Sequence, residues 1–552
     1  MNSMSKILDL SENRIAVYIL MPLSFLYLFI FFNQGINTYD EGLTLYGASR
    51  ILNGDVPYRD FWAIYSPAQF YVLAALFKLF GVSVIVARIW FTIIRFILVI
   101  CVFLFARKFV SQKFALIAWL LLLIWLGSYQ FYGSPMPSAL LFSFLSSFCL
   151  LSFIIQRRKT WLLLCGLLVG VATLFRHDIG FYTFLSEILV ITPFVFTNLA
   201  PKGASVPYRL LQFIKVESFY LLGMAIVLLP TLFYFIQVVP ISDLVYDFVR
   251  FPLEVYPKVR ALPYPAPIPD PVQLFSGIVS PLYYGILTLN RLPFYSPILI
   301  YIITIIMLVV RIRKRSIDWR QMYIWGIIFF LLLGIAFFNH VRVRSDLSHL
   351  MATYIPAVIL FAILLSNVPK IRKLRVVSWG LAFLLGFSFV GSSIYKTRHL
   401  IVYGIFSPLK LSFDLDRAKG IYGDQEWVTT YQAAIKYIKE NVSKGERIYV
   451  GSMRHDQVFN NDIMFYFLSD RHSATKYHDL HPGITTTAAI QEKIIEDIEM
   501  WRVKYIVLCY DSVKNANEIN IKNGSKILDN FIRDNFTLDQ KFGDYTIWKR
   551  QY

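Results

Sequence analysis

Long apolar runs with few charges constrain this chain more than any other feature. Segments such as Ala115–Leu126, Ile298–Val310 and Tyr323–Phe338 recur along the first 390 residues, and a hydrocarbon layer about 30 Å thick is crossed by roughly 20 such residues in a helix. With 57% apolar and only 16% charged residues, and a mean hydropathy of +0.55, an ordinary soluble enzyme is excluded. On this ruler about eleven spans are expected, near 15–32, 84–106, 114–127, 138–155, 161–175, 179–198, 215–238, 295–310, 321–338, 350–367 and 376–393. The polar start Met1–Arg14 runs into the first of them without a small-residue cleavage pattern, so it reads as a retained span.

Charge distribution gives the orientation. Residues 391–552 carry 22 basic and 20 acidic side chains, the first 390 carry 32 and 15, so the basic excess belongs to the membrane part. Basic residues cluster in alternate gaps: Arg107, Lys108 and Lys113; Arg157, Arg158 and Lys159; Lys202 and Arg209; Arg311, Arg313, Lys314, Arg315 and Arg320; Lys370, Arg372, Lys373 and Arg375. That is the positive-inside pattern and not a nucleic-acid-binding face. These gaps and the N-terminus are therefore expected in the cytoplasm, and the acids of the other gaps outside.

An odd number of spans puts the tail outside too. From about residue 395 to 552 it is balanced in charge and of domain size, so the chain divides into a membrane domain, 1–394, and a soluble α/β domain, 395–552. Strands are expected at Arg447–Gly451, Tyr505–Tyr510 and Tyr545–Lys549, and helices at Trp427–Asn441 and Thr486–Met500. Its aromatic stretch Phe465–His472, with His481-Pro-Gly483, is the expected acceptor-facing surface. The four cysteines give no disulfide framework, and Cys101, Cys149 and Cys165 lie in apolar runs as small hydrophobes.

Three polar constellations interrupt the apolar chain. The first outer loop begins Asn37-Thr-Tyr-Asp-Glu-Gly, continues through Arg50 and Gly54-Asp55, and reaches Tyr65-Ser-Pro67. Adjacent carboxylates at Asp40 and Glu41 either open a helix, where acids favour the dipole, or supply a base that takes a proton from an acceptor hydroxyl. The second, Asn339-His-Val-Arg-Val-Arg-Ser-Asp-Leu-Ser-His349, places Arg342, Arg344, Asp346 and His349 at the end of a span, where guanidinium forks match a lipid phosphate. The third, Arg176-His177-Asp178, joins two spans with almost no loop and is suited to lining a cavity. Glu187 lies within the next span, where it either pairs with an inward Arg, is hydrogen bonded in the bundle or touches substrate. The segment 240–291 is rich in proline and reads as a stiff irregular loop, with Tyr246, Tyr256 and Tyr264 as sugar platforms.

The run Tyr39-Asp40-Glu41, Arg50, Gly54-Asp55, a Pro before the amphipathic segment Pro67–Phe80, Gly81 and Ala87-Arg88 resembles the first loop of GT-C glycosyltransferases. More narrowly, it is similar to the protein-mannosyltransferase and aminoarabinose-transferase-like branch, in motif detail over Tyr39–Phe109. The Arg-x-Asp-x-x-His spacing of Arg344–His349 resembles that of bacterial and archaeal relatives. The resemblance implies a GT-C-like polytopic α-helical membrane protein with Asp40 as base and Glu41 beside it. It implies Arg344, His349, Asp346, Arg342 and Arg176 as donor-phosphate residues, with His177, Asp178, Arg50 and Tyr65 touching substrate. The expected partners are a polyprenyl-phosphate sugar, a lipid, glycan or protein acceptor, and membrane lipids. A divalent metal would suit this chemistry, but no ligand cluster supports one, and the second outer loop, Gly127–Pro137, lacks the acid that relatives often carry. A transporter, a lipid flippase and a non-catalytic scaffold are the rival readings.

Overall fold

The computed structural model describes residues 16–130, 132–199, 205–367, 372–408, 410–458, 460–510 and 524–551. Among them, eight helices are long and apolar enough to cross a membrane, not about eleven: Val84–Ala106, Gln112–Tyr129, Met136–Gln156, His177–Leu199, Val206–Val238, Pro281–Arg313, Met322–Val343 and Ser378–Ile405. The other three expected spans are the shorter apolar helices Tyr18–Phe29, Thr160–Phe175 and Met351–Ser366. At 1.5 Å per residue a 16-residue helix reaches only about 24 Å, so apolar composition alone overstated the count. Two helices instead overrun their expected limits. Val206–Val238 and Pro281–Arg313 each have 33 residues, and the second absorbs the end of the proline-rich segment. The N-terminal residues Met1–Arg14 and the basic residues Lys202 and Lys370 lie outside the described residues.

Close helix approach depends on glycine where it is tightest. Thr160–Phe175 crosses Val206–Val238 at Gly166 and Gly223, where an added Cβ would collide with the Tyr220 and Leu163 carbonyls respectively. Beside this crossing Glu187 is fully buried and accepts hydrogen bonds from Tyr220 Oη (2.7 Å), Ser146 Oγ (2.8 Å) and Cys165 Sγ (3.1 Å). Of the alternatives the sequence left for this acid, pairing with an Arg, bundle hydrogen bonding or substrate contact, the structure shows bundle hydrogen bonding: three donors offset the desolvation that makes an intramembrane acid costly.

The last membrane helix passes through a π-helical turn at Leu400–Ile405 into the tail. A short antiparallel pair, β1 (Lys410–Ser412) and β2 (Tyr422–Asp424), precedes a five-stranded sheet of β3 (Arg447–Ser452), β4 (His472–Ser473), β5 (Tyr505–Cys509), β6 (Phe536–Phe542) and β7 (Tyr545–Arg550). The order is β4-β3-β5-β7-β6, with β3 parallel to β4 and β5, and β7 antiparallel to β5 and β6. Helices Gln425–Asn441 and Ala488–Met500 lie close to where the apolar periodicity put them.

The tail is not packed as an independent body. Leu43, Tyr46, Leu73 and Phe77 of the first outer loop share one apolar cluster with Val428, Ile435, Ile448 and Phe465 of the tail. Gly42 lies so close to the Met464 backbone that a Cβ would collide with it. Backbone bonds cross the seam, from Met464 N to Thr38 O (3.0 Å), Gly35 N to Tyr422 O (2.7 Å) and Trp62 N to Lys476 O (3.0 Å). The helix Ile463–Ser469 is wholly buried in this seam, so the aromatic stretch expected to form an acceptor-facing surface is core. Tyr466 stacks on Tyr46 of the helix Asp40–Leu52, Phe467 packs on Phe77, and Phe465 packs on Tyr431 and Tyr545 within the tail, and a run of ring side chains does not by itself distinguish a platform from a packing face.

The loop is anchored by one buried ion pair. Arg88, 1% exposed, grips Glu41, 0% exposed, through Nε–Oε1 at 2.7 Å and Nη2–Oε2 at 2.8 Å. The same guanidinium donates to the carbonyls of Phe32 (3.0 Å), Gln34 (3.3 Å) and Gly35 (2.6 Å). Removing one partner of a buried pair strands the other charge and typically costs about 3–5 kcal/mol. Glu41→Gln is therefore expected to lower the thermal unfolding midpoint of the purified protein markedly, whereas Glu41→Gln with Arg88→Met should lose less than the two single changes added together. Unchanged midpoints in both single variants would show that the pair does not hold the loop.

Candidate active site

Asp40 opens the helix Asp40–Leu52, in the place the dipole favours. Asn37 fixes the turn: its Oδ1 accepts from Tyr39 N (3.1 Å) and Asp40 N (2.9 Å), and its Nδ2 donates to Asp40 Oδ2 (3.2 Å). The two expected carboxylates thus divide in role. Glu41 is consumed by Arg88, and Asp40 stands half-buried on the other side of the helix start with an amide for a neighbour. Burial raises the Asp40 carboxyl above its ordinary 3.8; the Asn37 hydrogen bond and the charges of Arg260 and His349 oppose that rise, and Asp346 adds to it. Gly133, at φ +83°, brings the second outer loop against the Asp40 carbonyl where a Cβ would not fit. The loop that carries no acid therefore meets the site with backbone.

The second constellation folds around Asp346. Its Oδ2 accepts from Arg344 Nε (2.8 Å), and its Oδ1 accepts from His349 N (2.9 Å) and lies 2.7 Å from His349 Nδ1. These partners outweigh burial and draw the carboxyl down to about 2. Asp346 thereby sets both residues that the sequence assigned to phosphate. Arg344 Nη1 also donates to the Arg260 carbonyl (2.8 Å), and His349 Nε2 lies 3.4 Å from Tyr256 Oη. Of the three tyrosines proposed as platforms, Tyr256 faces this cluster, while the Tyr264 hydroxyl is used on the Phe294 carbonyl (2.5 Å). Arg342 is exposed and bonds to Asn339 Oδ1 (2.9 Å), itself tied to Tyr182.

The third constellation adjoins the second. Arg176 forks onto Asp178 (3.1 and 2.7 Å) and its guanidinium lies 5.8 Å from the centre of the Tyr65 ring. His340 Nε2 is 3.3 Å from Asp178 Oδ2 but out of line for a hydrogen bond, and its ring lies 6.4 Å from that of His349. His177 is held by Ser66, through N–Oγ at 3.1 Å and Nδ1–Oγ at 3.2 Å. Arg50 is turned into the loop itself, bonded to Asp55 (2.6 Å), to the Asp60 carbonyl (2.9 Å) and to His478 Nδ1 (3.3 Å). It braces the site instead of lining it.

Sequence reasoning missed Arg260, His340 and Asp479. Arg260, 6% exposed, reaches Tyr39 Oη (3.4 Å) and His481 Nε2 (3.5 Å). It comes from the proline-rich segment, expected as an irregular loop but helical over residues 241–259, with a π-helical stretch at Tyr246–Val255 whose wider turn hides the usual period. Asp479 comes from the tail, between Phe465–His472 and His481-Pro-Gly483, so the sequence reading marked its neighbourhood as a surface but not the residue itself. His340 was passed over as one member of a polar string. Among the described residues no group of three or more His, Cys, Asp or Glu side chains is arranged to hold a metal ion. A cavity of about 470 Å³ lined by Thr197, Asn198, Asp318, Trp319 and Arg320 lies at the far end of the helix that begins at His177, away from Asp40.

Comparison with known proteins follows the same division. The family profile described as dolichyl-phosphate-mannose-protein mannosyltransferase matches residues 65–235, under half of the chain. No curated protein gave a significant match. Among solved structures, ArnT from Cupriavidus metallidurans bound to undecaprenyl phosphate is 12% identical with a TM-score of 0.53, over 98% of each chain. Its apo form gives 12% and 0.52, over 98% of this chain and 97% of that one. The Archaeoglobus fulgidus oligosaccharyltransferase in the apo form is 13% identical with a TM-score of 0.51, over 92% of this chain and 70% of that one. At such identities the likeness is one of fold. This chain is a polytopic α-helical membrane protein with a C-terminal soluble domain, and it shares its overall fold with these solved structures.

Proposed function

We propose that the protein is an inverting membrane glycosyltransferase of the protein-mannosyltransferase and aminoarabinose-transferase-like branch. It moves a sugar from a polyprenyl-phosphate donor to a lipid, glycan or protein acceptor on the extracytoplasmic face. The observation that carries this reading is the meeting of Asp40 with the Arg344–Asp346–His349 cluster across Arg260. A carboxylate not held by a guanidinium faces donors suited to a phosphate, and the two lie on segments some 300 residues apart. The family profile's description names a polyprenyl-type phosphate sugar, and one structure of this fold was solved with undecaprenyl phosphate.

In the reaction Asp40 takes the proton of the acceptor hydroxyl as its oxygen attacks the anomeric carbon. The bond from that carbon to the phosphate oxygen breaks, and polyprenyl phosphate leaves with the electron pair. One in-line displacement inverts the anomeric centre. Phosphate is already a good leaving group, so Arg344, Arg176 and His349 contribute by stabilising its charge, and no strong general acid is required. Asp346 and Asp178 hold the two arginines in place before the donor arrives.

Asp40→Asn keeps the size of the side chain and removes its basicity, and should reduce transfer about 10²–10⁴-fold without altering the unfolding midpoint. Because the base acts ionised, kcat/KM should fall as pH falls through its pKa, with the limb displaced above 3.8 by burial. A correctly inserted Asp40→Asn protein with normal turnover would remove Asp40 from the mechanism.

Arg344→Lys retains the charge but loses the planar fork, so it should weaken donor binding although it looks conservative. Asp346→Asn should weaken it as well, since both phosphate groups rest on that carboxylate. Unchanged donor affinity in Arg344→Ala and His349→Ala would make the cluster purely structural. Sidedness is read by protease: the tail should be cut in spheroplasts and protected in inside-out vesicles, and the reverse pattern would overturn the orientation.

A further inference from the structure

Asp479 stands out among the charged groups of the molecule. It is 1% exposed, yet neither carboxylate oxygen has a hydrogen-bond partner. The Tyr39 hydroxyl is the one neighbouring donor that bears on its titration, and it does not reach hydrogen-bond geometry with either oxygen. An ionised carboxylate offers about four lone-pair sites, and leaving them unfilled away from water is costly. Glu41 and Glu187 are buried and satisfied; Glu217, the other described acid with both oxygens unpartnered, lies on the membrane helix Val206–Val238 near Glu187 and away from this site.

The backbone around Asp479 is rigid, which removes the easy escape of turning the side chain out. The His478 carbonyl accepts from Asn461 Nδ2 (2.7 Å), and the His478 ring bonds to Arg50. On the other side the His481 ring packs on Trp62 and Phe251, with centroids 5.4 and 5.0 Å away. Electrostatically Asp479 responds to Arg260 and Asp40, and burial lifts its carboxyl to about 6, still ionised at neutral pH. The positive charge it requires is supplied by Arg260. What it lacks is hydrogen-bond donors.

Resting on the reading of this site as one for a polyprenyl-phosphate sugar, we infer that Asp479 is a sugar-binding residue supplied by the C-terminal domain. Its two oxygens accept hydrogen bonds from a pair of adjacent hydroxyls on the donor's sugar. A neutral vicinal diol brings two donors at the spacing of a carboxylate and no charge, which suits a group whose counter-charge is already in place. The donor's sugar is the moiety in position. Arg260 adjoins Tyr39 through Nη2, and its carbonyl receives Arg344 of the phosphate cluster. A sugar held between that cluster and Asp40 passes beside Asp479. This also gives the tail a role in donor selection, in addition to covering the loop.

The test is a binding titration on the full-length protein in lipid nanodiscs, comparing undecaprenyl phosphate with undecaprenyl-phosphate mannose, glucose and galactose. The wild type should bind at least one hexose-bearing lipid more tightly than undecaprenyl phosphate. Asp479→Asn and Asp479→Ala should each erase roughly 10-fold or more of that preference while leaving affinity for undecaprenyl phosphate within about twofold. If either variant fails to fold, single-deoxy versions of the preferred donor should produce the same loss on the wild type. Preference retained in the variants and for every deoxy donor overturns the inference, as does tighter binding only when an amino group replaces a hydroxyl, which would mark a cation site. Wild type that binds undecaprenyl phosphate with no hexose preference rejects this inference alone, whereas wild type that binds none of the lipids rejects the donor reading as well. Asp40→Asn separates the two further, because it should lose turnover and keep the hexose preference.

Discussion

Arg88 is the point on which the rest of the site depends. Its guanidinium collects the chain leaving the first apolar helix, through three successive carbonyl contacts at Phe32, Gln34 and Gly35, and ties it to Glu41 one turn into the next helix. A buried guanidinium and carboxylate would each be expensive alone, and their mutual attraction offsets the desolvation only when geometry is good and the remaining donors are filled. Here the fork is bidentate and the outer nitrogens are occupied by backbone. The result is that the helix Asp40–Leu52 can start in one place only, and Asp40 is presented on the face opposite its pinned neighbour.

That fixed helix then organises the tail. Gly42 allows the Met464 backbone to approach, and Tyr46 Oη receives Ser473 N at 2.6 Å, so the short edge strand β4 is seated on the loop and not on solvent. The segment beyond β4 is consequently led back over the mouth of the site, where Asp479 and His481 meet Tyr39, Arg260 and Trp62. The proline-rich segment is clamped between the two by Trp62 Nε1 to Asp247 Oδ1 (2.9 Å) and by Lys476 to Asp243 (3.0 Å). The candidate site is thus assembled from stretches far apart in sequence, the tail and the proline-rich segment held by contacts to the first loop and the Arg344 cluster by its bond to the Arg260 carbonyl.

This explains which parts were legible in the sequence. Membrane helices announce themselves because lipid demands continuous apolar surface, and β3, β5 and β7 because a buried strand demands the same of a short one. Asp40, Arg344, Asp346 and His349 were legible because charge beside a membrane span is costly and so stands out. Glu41 looked identical to Asp40 until Arg88, 47 residues on, was seen to claim it. The three shorter helices were miscounted because a 16-residue apolar run satisfies composition without satisfying length. No local pattern marks Arg260 or Asp479 as residues: they matter because a proline-rich segment and a domain edge happen to converge, which is a property of tertiary contacts.

The convergence leaves the site with an internal division of charge. Four carboxylates surround it, and two of them, Asp178 and Asp346, are already bonded to guanidinium groups. Those pairs lower the net positive charge but fix the orientation of the forks, so that an incoming phosphate meets oriented donors at little cost in side-chain freedom. His349 is constrained in the same way. With Nδ1 directed at Asp346, the proton on that nitrogen is used, and Nε2 is the atom that points toward Tyr256. Contact of that atom with a phosphate oxygen requires that it carry a proton. The remaining two acids, Asp40 and Asp479, are not bonded to guanidinium, and their separation by Tyr39 and Arg260 keeps like charges from cancelling each other's ionisation. One is half-buried at a helix start and the other is 1% exposed beneath the tail. That difference in burial is what separates the base we propose from the sugar-binding residue we infer.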